Sequence, residues 1–252
     1  MFLLQLTKVP KLLSALLPFI CLAGIVILQS QEYKRSLRQL STGDYLKQEQ
    51  EQARLLDWQK RSPNLGFSNL TADWSYLNFV QYFGDANARE TIGYRLVPNY
   101  FETISAIDPH FTKAHLNLSI ANSMYAGNPE KTIALMEEVL KTTNPRSEDA
   151  AFLWTSKGLD ELLFMGDRQA AINSYEMAAK WAEDITVKDL ELALEDTSEI
   201  ELKEAQVRAW SSVLVHIQDH QRKREIIDKI SSLRADILVL KQSSSESDRV
   251  TD

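Results

Sequence analysis

The sequence predicts an all-α protein: an N-terminal transmembrane helix, then a solenoid of antiparallel helix pairs, then C-terminal helices that cap it. Three observations predict this. Glycine and proline are scarce, at 8 and 7 of 252 residues, which favours long helices over a many-turned β fold. Residues 12–28 read LLSALLPFICLAGIVIL, an apolar run without a charge. From Ala72 onward the chain divides into helix-length segments separated by short glycine and proline breaks. The apolar fraction of 44% is ordinary for a globular protein, so these segments can bury a core.

The apolar run sits near the lower limit of about 17 residues for crossing a bilayer core. It reads as a short membrane span or the core of a signal peptide. Its exit, Ile27-Leu28-Gln29-Ser30-Gln31, lacks the small-x-small pattern of a cleavage site, which favours an uncleaved signal anchor over 12–29, after an N-terminal flank at 1–11. Lys8 and Lys11 argue for a cytoplasmic N-terminus, whereas Lys34, Arg35 and Arg38 argue the opposite. Signal-anchor geometry favours the former, with the remainder of the chain on the far side. Cys21, the one cysteine, excludes an intramolecular disulfide, and Ile20 before it disfavours lipidation.

Residues 30–65 are a polar stretch, either a helical stalk or a disordered linker, ended by Pro63-Asn64-Leu65-Gly66. Breaks then fall at Gly84-Asp85, Asp108-Pro109, Gly127-Asn128-Pro129, Asn144-Pro145 and Gly166-Asp167. After Asp184, Thr186–Asp189 and Ser198–Glu201 have capping-box spacing. Two helices follow, and the second places Ile226, Ile227, Ile230, Leu233, Ile237 and Leu240 on one face. They are expected to cap the stack over 185–242, and 243–252 (SSSESDRVTD) to form a disordered tail.

Three of the breaks resemble one another. GDRQAAINSYEMAAKWAED after Gly166 resembles the second half of a tetratricopeptide repeat, with Ala171, Tyr175 and Ala178 at the small, aromatic and small positions of helix B. GNPEKTIALMEEVLKTTNP after Gly127 is similar, with Thr132, Met136 and Val139, and Phe101 and Ile104 fit the first unit. The resemblance covers Ala72 to Glu183, within a repeat domain placed at 66–184, and implies helix pairs whose apolar faces only the next pair can cover. The glycines lie 43 and 39 residues apart against a family repeat of 34, so an insertion is expected at Ala86 to Tyr94 and a longer loop at Thr142 to Glu148. The glycine of helix A is displaced: Ile120 and Leu159 stand in its place, with Gly158 one residue early. GFSNLTADWSYLNFVQYFGD, YAGNPEKTIALMEE and KGLDELLFMGD are further similar to membrane-anchored repeat proteins of cyanobacteria, which implies a plasma or thylakoid membrane and no particular activity.

The resemblance also implies a protein-binding groove lined by helix A. Counting back from the glycines gives Trp74, Asn78 and Gln81, then Asn117, Ala121 and Met124, then Ser156, Asp160 and Leu163. An alternative is that Trp74 and its aromatic neighbours only complete the core. No phosphate loop, serine elbow or free thiol outside the anchor is visible, so neither an enzyme nor a cofactor is expected. His216 and His220 are four apart but lack the Glu of a metalloprotease helix, and His110 and His115 read as loop and packing residues, so no metal is expected. The acidic residues from Glu183 to Glu204 read as a solvated face. A net charge of −7 argues against nucleic acid. The expected function is a membrane-anchored adaptor or scaffold, such as an assembly factor, that binds another protein at the membrane; the alternative is a permanent subunit of a membrane complex.

Overall fold

The computed structural model describes residues 11–36, 40–62, 66–182 and 197–250. Lys8, Arg38, Pro63 to Leu65, the Thr186–Asp189 capping box and most of the acidic stretch after Glu183 lie outside them. Every regular element among the described residues is helical. The chain divides into two compact units, Met1–Asp44 and Tyr45–Asp252.

The first unit contains α1, Lys11–Ser36, with Pro18 inside it. Side chains are described over 18–30, and Phe19, Ile20, Leu22, Val26, Ile27 and Leu28 all stand exposed. Among the described residues no helix is long and apolar enough to cross a membrane.

The second unit begins within α2, Thr42–Arg61. Ser41 starts this helix: its Oγ accepts from the Asp44 amide at 3.3 Å, and Asp44 returns a bond to the Ser41 amide at 3.0 Å. The segment 30–65, read as a stalk or linker, thus contributes from Tyr45 onward to the larger unit. Leu56 enters a core with Phe79, Tyr82, Val97, Tyr100, Phe101 and Met136. Most of α2 is polar, which concealed its one buried stripe.

α3, Ser68–Gly84, buries Ala72, Ser75, Phe79 and Tyr82, a helical spacing that presents one face to the core. The insertion expected at Ala86 to Tyr94 is a short helix, α4 (Ala86–Ile92), capped by Asp85, whose Oδ1 accepts from the Ala88 amide at 3.1 Å. α5, Val97–Ile107, has Pro98 in its first turn and sends Phe101 and Ile104 fully into the core. Fully burying each such side chain stabilises the fold by roughly 1.5–3 kcal/mol.

The next two segments share a form that ordinary helix counting does not foresee. α6 (Thr112–His115) leads into a π-helical segment, π1 (Ser119–Tyr125), which ends at Gly127; α7 (Pro129–Thr142) follows. α8 (Glu148–Asp160) leads into π2 (Glu161–Met165), which ends at Gly166; α9 (Arg168–Ala182) follows. In both, a bond spanning six residues closes the end: the Asn128 amide to the Asn122 carbonyl, 2.9 Å, and the Asp167 amide to the Glu161 carbonyl, 3.0 Å. Thr132, Met136 and Val139 of α7 and Ala171, Tyr175 and Ala178 of α9 are all buried.

The π segment also explains the displaced glycine. A π turn carries one residue more than an α turn. Gly158 therefore faces α9 although it stands one place early. A Cβ there would lie 3.0 Å from Tyr175 Cε1 and 3.2 Å from the Ala171 carbonyl oxygen. The residue at the matching distance from Gly127 is Ser119, the first of π1.

The last two helices, α10 (Glu199–His216) and α11 (His220–Val250), form a hairpin. Ser198 and Glu201 make a complete capping box at the start of α10. The helix α11 continues through most of the stretch read as a disordered tail. The hairpin does more than cover the last pair. Trp210, Val213 and Ile217 pack with Phe164 and the α11 stripe Ile226, Ile230 and Leu233, and Met124, Leu163 and Met165 flank this cluster. Gln206 reaches Gly166, Ile217 reaches Gly127 and Gln218 reaches Gly93. Arg222 donates to the Gly127 carbonyl through Nε at 2.8 Å and Nη2 at 2.5 Å. The hairpin therefore lies along the turns at Gly93, Gly127 and Gly166.

Gly127 is needed twice over. Its φ is +68°, and a Cβ would come within 2.6 Å of Ile217 Cδ1. Gly127→Ala is expected to lower stability by about 1–3 kcal/mol, from left-handed strain and overpacking together. Urea unfolding of Gly127→Ala, Ile217→Val and the double variant checks this: the double should recover part of the loss. Full additivity would show that the contact contributes nothing.

Candidate binding site

Between α2 and α3 lies a cavity of about 500 Å³, the size range of small-molecule and side-chain pockets. From α2 come Tyr45, Gln48, Gln52, Leu55 and Gln59, spaced three and four apart along one stripe. From α3 come Trp74, Asn78 and Gln81 on a matching stripe. Five side-chain amides thus face a space bordered by the half-exposed rings of Trp58 and Trp74. Amides can both donate and accept, which suits them to a ligand backbone or hydroxyl.

Buried charge lies at the inner wall. Glu49, on α2, accepts from the Tyr82 hydroxyl at 3.0 Å and from Arg95 Nη2 at 2.6 Å. Arg89, on α4, lies 3.6 Å from Glu49 Oε1 and stacks 3.6 Å over the Tyr82 ring. Its Nη1 donates to the Gly93 carbonyl, while its Nε has no hydrogen-bond partner among the described residues. The Tyr82 hydroxyl also accepts from the Leu96 amide at 3.1 Å. Burial pushes the Tyr82 phenol well above its ordinary range, against the opposing pull of Arg89. Burial likewise raises Tyr100, also at this wall, to about 12.

Sequence reasoning did not single out Glu49, Arg89 or Tyr82 for this wall. The α2 stripe was readable in its spacing, but four of its members here are polar or amphipathic. The α4 helix was expected only as an insertion.

The nine groove residues do not converge. Trp74, Asn78 and Gln81 share the cavity. Asn117 is exposed and donates from Nδ2 to the Tyr76 hydroxyl at 2.9 Å. Ala121 is buried in the first core, and Met124 and Leu163 pack at the α10–α11 cluster. Ser156 is half-buried and Asp160 is 1% exposed. The physical reason is the extra residue in each π segment, which rotates positions upstream by about 100° relative to an unbroken α-helix. The hairpin then occupies surface that the count left open.

Asp160 belongs to a buried polar network joining the two helices that carry π segments. Ser119 donates to its Oδ1 at 2.8 Å and Ser123 to its Oδ2 at 2.6 Å. Ser123 also lies 2.8 Å from Thr132 Oγ1, and Asn122 Nδ2 reaches Thr132 Oγ1 at 3.1 Å. Beside it, buried Lys157 pairs with Glu161 and contacts Ser174 at 3.3 Å, and Ser174 donates to Glu161 Oε2 at 2.6 Å. Burial pushes the Asp160 carboxyl up to about 6; the two serines oppose this and Glu161 reinforces it. Ser123 has one proton to share between Asp160 and Thr132. A protonated Asp160 can donate to Ser123 and free that proton for Thr132.

The histidines separate as well. His216 ends α10 and His220 starts α11, so they share no helix; His216 stacks 4.2 Å from the Tyr125 ring. His115 is wholly buried, as its packing role implies. Its Nδ1 faces the Phe111 carbonyl at 3.1 Å, so that nitrogen carries the proton and Nε2 accepts from Ser105 at 2.7 Å. Burial lowers its pKa to about 4, keeping the ring neutral. His110 Nδ1 lies 3.2 Å from the Thr142 carbonyl, joining its loop to the end of α7. Among the described residues no three His, Cys, Asp or Glu side chains gather as a metal set.

Compared with protein-family models, curated proteins and solved structures, the chain gives no match.

The Asp160 environment makes a pH prediction. Its folded pKa lies above the ordinary value of 3.8, so the fold favours the protonated form. The stability that this group contributes is present below pH 3.8 and lost as pH rises through about 6. Asp160→Asn should therefore stabilise the protein by on the order of 2–3 kcal/mol above pH 7 and by little at pH 4. Thermal melts of both forms across pH 4–8 read the difference. A gap independent of pH would refute the assignment.

Proposed function

We propose that this protein is a membrane-anchored adaptor whose row of tetratricopeptide-like helix pairs holds another protein against the face containing Trp74, Asn78 and Gln81. The observation that carries the reading is the cavity between α2 and α3, where an amide-rich wall meets exposed apolar side chains. Leu55, Trp58, Leu70, Trp74, Leu77 and Val80 all stand exposed on these two helices. Such a patch beside a concave wall is what a protein partner covers. Two units with matching buried triplets and matching glycine-ended π segments support a repeat architecture.

The anchor in this reading is residues 12–29. Its support is the uncharged run in the sequence and the exposed apolar side chains of α1 over the described part. A helix that is apolar all round needs lipid or another protein around it. The partner is then a protein held at or near the same membrane, and no catalytic step or cofactor is required.

The test is co-purification from detergent-solubilised membranes with the wild type and with Trp74→Ala/Asn78→Ala/Gln81→Ala. The adaptor reading expects a partner whose recovery falls at least fivefold with the variant while the variant's melting temperature stays within a few degrees. A companion protein recovered in fixed ratio with both forms would instead favour a permanent subunit. No companion with either form would defeat both readings. Protease added to sealed vesicles of known orientation should digest the larger unit only from the non-cytoplasmic side.

A further inference from the structure

We propose that the outer face of the α10–α11 hairpin docks on an anionic lipid surface, with Arg208, Arg224 and Arg234 on the headgroups and Val215, Ile227 and Leu238 seated between them. This goes beyond the adaptor reading and rests on it only for a membrane within reach.

The face begins in the spacing of α11. Ile226, Ile230, Leu233 and Ile237 turn inward at steps of four and three. A second line keeps the same steps: Arg224, Ile227, Ser231, Arg234, Leu238 and Lys241. Such steps hold one face of a helix, so the line is a stripe about 25 Å long. All of its members are exposed, Ile227 by 46% and Leu238 by 63%. Cations alternating with exposed aliphatics along one face suit a helix that lies in a lipid interface.

α10 widens the stripe. Lys241 Nζ bonds to Glu204 Oε1 at 2.9 Å, which sets a line of α10 beside the stripe. From Glu204 that line continues at helical steps through Arg208, Ser212 and Val215, all exposed, Val215 by 75%.

The charge of the face is opposite to that of the chain, which is −7. Carboxylates of the hairpin are engaged elsewhere: Glu204 with Lys241, Asp236 with Lys203 and Glu225 with Arg222. Arg208, Arg224 and Arg234 have no ion pair among the described residues. Asp228, at the border of the stripe, is the carboxylate set against them. Charges are screened over about 8 Å at physiological salt, so a surface in contact responds to this local excess and not to the net charge.

The shape selects the occupant. The arginines stand on two adjacent helix ridges, and no wall encloses the aliphatic side chains between them. An acidic peptide would cover part of such a face, whereas a headgroup layer offers phosphates along all of it and an apolar boundary below. Guanidinium groups pair with phosphate through two donors at once.

The test uses the full chain in nanodiscs of neutral lipid and of neutral lipid mixed with phosphatidylglycerol. A fluorophore is attached through Ser231→Cys, or through Asn173→Cys on α9 as a control, both with Cys21→Ser. Lipid-borne quenchers read contact. Quenching at position 231 should rise at least twofold in anionic discs, fall away as salt is raised, and stay unchanged at position 173. Arg208→Gln/Arg224→Gln/Arg234→Gln should return it to the neutral-disc level with the melting temperature kept. Equal quenching in both lipids, equal gains at both positions, or a triple variant quenched like the wild type would overturn the proposal. A larger response to poly-glutamate in neutral discs than to anionic lipid would assign the face to an acidic protein segment and overturn it too. Entry into neutral discs, read by size exclusion, scores the anchor separately. Entry without anionic quenching defeats this face alone, and binding to anionic discs without entry into neutral ones defeats the anchor alone.

Discussion

The close seating of α10 on the two left-handed glycines, Gly127 and Gly166, is the constraint on which the rest of the larger unit depends. At each corner a π segment ends, the chain reverses, and a side chain of the hairpin stands where a Cβ would. Gly166 has a φ of +72°, and its would-be Cβ lies 2.3 Å from Gln206 Nε2. Only glycine meets both conditions without displacement. The corner carbonyls and amides then become hydrogen-bonding sites for the hairpin: Arg222 takes the carbonyl of Gly127, and Gln206 takes that of Leu162 at 3.2 Å. One close approach thereby joins units far apart in sequence.

That seating is linked to the buried polar network. A π segment widens the helix by one residue and alters which side chains face the neighbouring pair. Here Ser119, Asn122 and Ser123 face inward from π1, and Asp160 and Glu161 from the junction of α8 with π2. Their hydrogen bonds join the two π-bearing helices, from Ser123 to Asp160, and tie π1 to α7 through Thr132. A polar network in this position constrains register more sharply than apolar packing, because a shift of one residue would leave a carboxylate unpaired. Apolar clusters on either side tolerate small changes; the network does not. The same network has one proton too few to satisfy every contact when Asp160 is charged.

The sequence made the helical segments legible because glycine, proline and capping residues act locally. The Ser198–Glu201 box is complete in the structure, and the small–large–small triplets of α7 and α9 are buried as their spacing implies. The path of α10 was not legible, since its contacts with the glycine turns depend on residues forty or more positions away. Nor was the π character of two helices: no residue type marks it, and its only trace was Gly158 standing one place early. For the candidate site, Trp74, Asn78 and Gln81 could be read because α3 is unbroken up to Gly84. The remaining six positions were counted through π segments and so lost their common face. Glu49 and Arg89 were hidden for a different reason. Charged residues in polar stretches ordinarily face water, and their burial becomes evident only when α2 and α4 are seen on either side of Tyr82.

The Glu49 cluster also changes the standing of α2. A helix docked by Leu56 alone could detach at modest cost, since one buried leucine stabilises by roughly 1.5–3 kcal/mol. Glu49 makes separation harder. Withdrawing α2 would remove the carboxylate that Arg95 and the Tyr82 hydroxyl share, while Arg89 would keep its charge beside the Tyr82 ring. Breaking a buried pair costs more than never forming it, because the remaining charge stays desolvated. Lys60 adds a second attachment at the far end of the helix, through Glu102 at 3.2 Å, and Glu102 also pairs with Lys131 of α7. Burial alone would raise the Glu102 pKa, but the two lysines outweigh it and hold the carboxyl below its ordinary range. The polar residues that made α2 look like a spacer are therefore the ones that fasten it. Any partner or ligand that uses the Trp74 face meets α2 as a fixed wall of the cavity.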